Sequence, residues 1–448
     1  MVEKTEFDSH INIKSATSAK DCSTYLMKEI ELENLKLSIE TPYKIIEGKK
    51  INKNDISGYA KDIVKPIFES GVFVSKHPSY SHLYNILEEN KTSEIANFLG
   101  FRKSLLESNG SKTAVSFVFS RNPFVENVFG KDSKITKLPP MDKDNYEYTL
   151  LDHIHSASKA LILSPDIKIM RNNKKQIDLD DYLKYIDNNL KILSEFNKTP
   201  IFAPIQIDIN SKWQKKILAH YKKNGYTNIW INFNGSHIGG IYFTRVRTLC
   251  RYLKDIIGFK NVVLYESHIH REIKGVEGAD ITNEKVIGSD ILSQFFAADF
   301  IGVNRDPPPP PMDDSDIKKI IDKLIQEGKI KDEKEYYEVL TLNKQRLFDP
   351  DSYYYYRIDK YPHSLSFDGN QLLNTNKNKL YNSTLIYNEI EATKKKVREE
   401  KTIKPYIKNK KALEENKVQN QKISDFILAS KDNTKQTNLF EKLGKFGQ

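Results

Sequence analysis

Five apolar runs in the middle of the chain each end in polar residues with chemical capability. Ala160-Leu161-Ile162-Leu163 leads into Ser164-Pro165-Asp166, and Ile201-Phe202-Ala203-Pro204-Ile205 into Gln206-Ile207-Asp208. Ile229-Trp230-Ile231 leads into Asn232-Phe233-Asn234, and Val262-Val263-Leu264-Tyr265 into Glu266-Ser267-His268-Ile269-His270. Phe300-Ile301-Gly302-Val303 leads into Asn304-Arg305-Asp306. Short runs rich in Ile, Val and Phe predict strands buried on both faces. The segments between them carry apolar residues at helical spacing. Leu183, Ile186, Leu190 and Leu193 form one stripe, and Trp213, Ile217, Leu218 and Tyr221 a second that stops at Asn224-Gly225. Ser211 is the expected cap of that second helix. A third starts near Thr244 with Val246, Leu249, Leu253 and Ile256. Strand–helix alternation at this spacing predicts a parallel α/β sheet. Its strand C-terminal ends then lie on one side, where such folds place their sites.

Three weaker runs extend the pattern: residues 43–47, Gly71-Val72-Phe73-Val74 and residues 113–119. With the central five they make about eight strands, the number that closes a (β/α)8 TIM-like barrel. That is the expected fold class, α/β with a C-terminal helical and basic extension. Residues 21–37 are expected to be a helix. The expected divisions are residues 1–311 as the barrel with an N-terminal elaboration, 312–370 as a helical and Tyr-rich appended region, and 371–448 as a basic, partly disordered tail. Pro307 to Pro311 are expected to form a stiff spacer leaving the barrel. Tyr353-Tyr354-Tyr355-Tyr356 reads as a packed β-like edge, with base stacking as its functional alternative.

Composition narrows the class. A chain of 448 residues with 38% hydrophobic and 29% charged residues can bury a large core and lacks any apolar stretch that would span a bilayer. The charged N-terminus points to a cytoplasmic protein with no membrane partner. Two cysteines exclude a disulfide framework and a multi-cysteine zinc site. The net charge is +10, and the segment after residue 370 holds 17 Lys and Arg against nine Asp and Glu. A basic tail points to an anionic partner, nucleic acid (tRNA or DNA) being the expected one, or else to a solvated Lys-rich surface.

The strand ends supply the candidate chemistry. Asp166, Asp208 and Glu266 are carboxylates suited to nucleophilic or acid–base roles. Gln206, Asn232 and Asn234 offer amides that read the edge of a heterocycle. Arg305 is placed to hold a phosphate. Glu266, His268 and His270 have the alternation that points side chains to one face of a strand, so a divalent metal is possible there; otherwise no cofactor is expected. His153-Ile154-His155 lies on an expected helix, where the two rings diverge. Asp208 has a bland alternative as a helix cap.

The region from about residue 160 to 306 resembles the barrel of tRNA-guanine transglycosylases and related DNA base-exchanging enzymes. The resemblance rests on Ile205-Gln206 before a helix, on Gly225-Tyr226-Thr227-Asn228-Ile229-Trp230, and on Ala297-Ala298-Asp299-Phe300-Ile301 followed by Asn304-Arg305. It implies base exchange on tRNA or DNA, with Asp166 as one catalytic aspartate. Gly302 occupies the place of the family's nucleophile, so either Asp299 or Glu266 takes that role or the chain is a divergent, non-catalytic relative. Gln206, Asp208, Asn232, Asn234, His268, His270, Asn304 and Arg305 would bind the substrate. Lys435-Gln436-Thr437-Asn438-Leu439-Phe440-Glu441-Lys442-Leu443 is similar to the sliding-clamp motif of DNA replication and repair proteins, through Gln436, Leu439 and Leu443. Asn420-Gln421-Lys422-Ile423-Ser424-Asp425-Phe426-Ile427 is a near-match. Two other functions compete: a metal-dependent hydrolase at Glu266, His268 and His270, and a non-enzymatic DNA-associated module acting through its tail.

Overall fold

A computed structural model describes residues 7–75, 77–89, 91–107, 110–120, 143–169, 178–273, 283–306, 313–365, 368–418 and 420–428. Its first element is an antiparallel sheet of β1 (Ile11–Ala19), β2 (Cys22–Leu32) and β3 (Leu37–Thr41). The helix expected over residues 21–37 is therefore a strand. Tyr25, Leu26, Met27, Ile30 and Leu32 are all buried because β2 is covered on both faces. Double burial removes the two-residue alternation and leaves apolar spacing that imitates a helix.

The centre is a mixed α/β structure of parallel strands. These are β4 (Tyr43–Lys44), β5 (Ile46–Glu47), β6 (Ile67–Val74), β7 (Lys112–Phe119), β8 (Ile162–Leu163), β9 (Asp166–Ile167), β10 (Ile201–Gln206), β11 (Asn228–Asn232) and β12 (Val263–Ser267). After β13 (Glu272–Ile273) and β14 (Lys285–Gly288), the last parallel strand is β15 (Phe300–Ile301). One parallel sheet runs β4-β15-β12-β11-β10-β8, and a second runs β5-β6-β7-β9. Each helix between these strands buries one apolar stripe on the sheet. Leu179–Ser194 packs through Ile186, Leu190 and Leu193, and Ile241–Ile256 through Val246, Leu249 and Leu253. The helix Ser211–Asn224 is capped by the Asn210 side chain, not by Ser211, and closes on Gly225 at φ 77°.

β13 and β14 join β16 (Leu347–Phe348) and β17 (Tyr354–Tyr356) in an antiparallel sheet. The Tyr-rich block is thus structural. Tyr353 and Tyr355 are fully buried and donate to Glu389 and Asp290. The helices Asp314–Gln326 and Glu333–Lys344 hold a small separate core of Ile321, Leu324, Ile330 and Tyr336.

The chain after residue 370 departs most from expectation. Thr375–Glu400 is one long helix, and Leu380, Ile386, Ile390 and Val397 belong to the main core. Each such side chain withdrawn from water contributes about 1.5–3 kcal/mol. Polar residues complete the buried stripe and are satisfied in place. Asn382 donates to Arg346 O at 3.0 Å, and Thr384 to Tyr59 O at 2.8 Å. Ile423–Leu428, the near-match to a clamp motif, buries Ile423, Phe426 and Ile427 and so presents no free apolar turn. Several of the tail's cations are held in ion pairs, including Lys394–Glu391, Lys410–Glu389 and Lys422–Glu414. Gln436, Leu439, Leu443 and the five prolines lie outside the described residues. No helix among the described residues is long and apolar enough to cross a membrane.

Candidate active site

Register sets the site. Gln206 pairs with Asn232, and Asn232 with Ser267, so three polar residues share one rung of β10, β11 and β12. Nearer the strand starts, the rings of Phe202, Tyr265 and Phe300 pack with centroids 5.8–6.3 Å apart. This aromatic layer is a dry floor under a polar row.

Asp166 anchors the row from β9. Its Oδ1 accepts from the Tyr182 hydroxyl and from Gln206 Nε2, both at 2.9 Å, and its Oδ2 accepts from Asn232 Nδ2 at 2.7 Å. All three donors are neutral. Burial pushes the Asp166 carboxyl up to about 6, against the lowering effect of these hydrogen bonds. Asn232 Oδ1 has no proton, so the 2.9 Å contact with His268 requires His268 Nδ1 to donate. Burial, with Arg305 nearby, holds His268 well below its usual range, so the ring is neutral. Its Nε2 then carries a lone pair and accepts from Ser116 Oγ at 2.8 Å. His268 adopts φ 60° and Asn234 φ 51°, left-handed conformations that non-glycine residues enter at a cost.

Glu69, on β6, completes the row. Its Oε2 accepts from the Tyr265 hydroxyl at 2.6 Å and from Val303 N at 2.8 Å. Its Oε1 lies 3.7 Å from His268 Nε2. A neutral ring with a lone pair at Nε2 offers no charge to that oxygen, so this approach is not an ion pair. Burial pushes Glu69 up to about 7, opposed by the hydrogen bonds from the Tyr265 hydroxyl and the Val303 N–H. The result is a continuous row, Asp166–Asn232–His268–Ser116, ending beside Glu69. A carboxyl with a raised pKa sits at each end of a neutral relay.

Gly302 faces this row. A Cβ there would lie 2.5 Å from Glu69 Oε2, 2.5 Å from Ser267 Cβ and 2.6 Å from Tyr265 Cε1. The position therefore holds glycine because Glu69 occupies the space a side chain would need. Lys44 also reaches in and donates to Gly302 O at 2.6 Å.

Other candidate residues stand elsewhere. Glu266 alternates with Tyr265 and Ser267 and takes the opposite face of β12. Its carboxyl is buried, and burial pushes its pKa well up, opposed by Ser293. Asp299 lies at the other end of β15. Its Oδ2 accepts from Lys28 Nζ at 2.7 Å and Leu264 N at 2.8 Å, and its Oδ1 from Thr41 Oγ1 at 2.9 Å. That ties the N-terminal sheet to the centre, far from any catalytic role at the strand C-terminal ends. His270 Nδ1 donates to Glu272 O at 2.8 Å, in the turn before β13. Asn304 donates to Asp290 at 2.6 Å, beside the Tyr-rich sheet. Glu266, His268 and His270 thus point apart. The groups of His, Asp and Glu close enough to share an ion among the described residues are Asp8, His10 and Glu33, and Asp349, Asp351 and His363.

Asn234 joins the row by donating to Gln206 Oε1 at 3.1 Å. Asp208 is not a helix cap, since Asn210 takes that position; the Asp208 carbonyl accepts from Arg245 at 3.4 Å. The Arg305 guanidinium sits 3.6 Å from the centre of the Phe73 ring, which in turn meets His268 edge-on at 4.6 Å. Glu69, Ser116, Tyr182 and Tyr265 were not anticipated. One signal was present: in Ile67-Phe68-Glu69-Ser70-Gly71-Val72 an acid interrupts an otherwise apolar run.

No family model matches the chain. No curated protein matches it. Among solved structures it overlaps GH26C from Muricauda sp. MAR_2010_75, with TM-score 0.34, 11% identity, 62% of this chain and 86% of that one. It also overlaps a modular endo-beta-1,4-mannanase from Cellulomonas fimi, with TM-score 0.33, 10% identity, 61% of this chain and 64% of that one. The resemblance to tRNA-guanine transglycosylases is not upheld. The two solved structures just named are of a different kind, one of them described as a glycoside hydrolase family 26 mannanase. The geometry agrees, because Asp299 is tied into an ion pair at the wrong end of β15 and Glu266 faces away from Asp166. The base-modification and ribosyltransferase readings fall with that resemblance.

Proposed function

We propose that the parallel strands close into one (β/α)8 barrel and that Glu69 and Asp166 perform general acid–base chemistry at its C-terminal mouth. The closure is supported by pairing. Ile45 alone separates β4 from β5, and Ser164 and Pro165 alone separate β8 from β9. Each pair then counts as one interrupted strand, and the neighbours run in an unbroken circle of eight.

The chemistry rests on one observation: two fully buried carboxyls flank one hydrogen-bonded row, Asp166 bonded into it and Glu69 beside its far end, and burial pushes them up to about 6 and about 7. Near neutral pH, Asp166 is mostly ionised and accepts a proton, while Glu69 is about half protonated and donates one. Neutral His268 and Asn232 hold both in orientation. Hydrolysis of a polar substrate is a reaction class that such a pair supports, the acceptor taking a proton from the attacking water and the donor giving one to the leaving group. Asn234, Phe73 and Arg305 border the row and contact the substrate.

A panel of chromogenic esters, phosphates and glycosides tests this. Wild-type protein is expected to turn over at least one class. In E69Q and D166N, kcat is expected to fall by about 100-fold or more. Turnover that survives undiminished in both variants contradicts the assignment.

A further inference from the structure

Arg305 is held in place without a counter-charge. Its backbone N donates to Ile269 O at 3.0 Å, and Asn304 bridges Ile269 beside it. The guanidinium lies against Phe73, and its Nη1 is buried with no hydrogen-bond partner. No carboxylate forms an ion pair with it among the described residues. A buried, charged N–H donor left without a partner is destabilising, so the position calls for an acceptor.

A second cation stands at the same strand ends. Lys168 follows β9 directly, and its backbone N donates to Phe119 O at 2.7 Å. The next residue's N–H donates to Gln206 Oε1 at 3.0 Å, which ties this turn to the acid row. Burial lowers the Lys168 amine, Arg305 lowers it further, and Asp208 opposes both. Asp208 offsets one positive charge. The guanidinium remains, and its neighbour His268 is neutral.

We propose that Arg305 and Lys168 form an oxyanion subsite at the mouth, which holds a phosphate group of the substrate while its reacting part lies over the Asp166–His268–Glu69 row. This rests on the acid–base reading above. A phosphate presents several oxygens at once to a guanidinium fork and an ammonium. The Phe73 face beneath the guanidinium fixes its plane. The anion so placed supplies the missing acceptor for Arg305.

The test is calorimetric titration of the full chain with inorganic phosphate at constant ionic strength, with acetate as the second titrant. Wild-type protein is expected to bind phosphate and not acetate. R305Q and K168Q are each expected to weaken binding by about tenfold or more, with R305K intermediate. Should R305Q fail to fold by circular dichroism, K168Q decides. No binding by wild type, binding unchanged in K168Q, or acetate binding as tight as phosphate overturns the subsite. E69Q is expected to bind phosphate like wild type. A failure of the acid–base reading therefore shows in turnover alone, and a failure of the subsite shows in phosphate binding alone.

Discussion

Asp299 and Asp166 are both fully buried aspartates at ends of parallel strands, and they are partnered in opposite ways. Asp299 meets an ammonium, a hydroxyl and a backbone N–H. Lys28 and Asp299 are both at 0% side-chain exposure, so the charge is compensated where it sits. Asp166 meets a phenol and two amides, all neutral. Glu69 likewise meets a phenol and a backbone N–H. Equal burial thus yields a compensated clamp at one end and two carboxyls with raised pKa values at the other. The partner's charge makes the difference.

Breaking the clamp has the largest expected effect. Lys28→Met leaves Asp299 buried without a cation, which costs about 3–5 kcal/mol. Chemical denaturation reads this as a lower midpoint. A loss under 1 kcal/mol would mean that the pair is not a clamp.

The second effect separates the two ends by pH. Burial raises Asp166 and Glu69 above their ordinary values of 3.8 and 4.5, to about 6 and about 7. Between those limits the folded state binds more protons than the unfolded state. Stability therefore falls as pH rises from about 4 to about 7, by about 2–3 kcal/mol for each carboxyl. Glu266, also pushed up by burial, adds to the fall in the same direction. D166N and E69Q are each expected to flatten their share of the slope in denaturation curves taken across this range. A slope unchanged in both variants would remove the distinction between the two ends.

A smaller effect sharpens the geometry of the mouth. Gly302→Ala places a methyl 2.5 Å from Glu69 Oε2. Overpacking of this kind costs about 1–3 kcal/mol. The midpoint of denaturation should drop, and any turnover should fall with it because Glu69 must move. An unaffected variant would show that the row has slack.

The difference between the ends also explains what the sequence disclosed. The five central strands were legible because double burial makes continuous apolar runs. Asp166, Gln206 and Asn232 were legible because they follow those runs directly and face inward. Glu266 was misleading for the same reason: it also follows a run, but strand alternation turns it outward, and position after a run does not reveal the face. Glu69 was hidden because it sits inside its strand. β2 was misread because its middle, Thr24 to Lys28, is buried on both faces and shows no alternation. The Thr375–Glu400 helix was obscured because its buried stripe includes Asn378, Asn382, Thr384 and Thr393, whose burial depends on partners distant in sequence.

Carboxyl carbon NMR across a pH titration, with E69Q and D166N to assign the signals, tests the central claim most directly. Glu69 is expected to titrate at about 7 and Asp166 at about 6. Titration of both at or below about 4.5, the range of ordinary exposed carboxyls, would contradict an acid–base pair at the mouth.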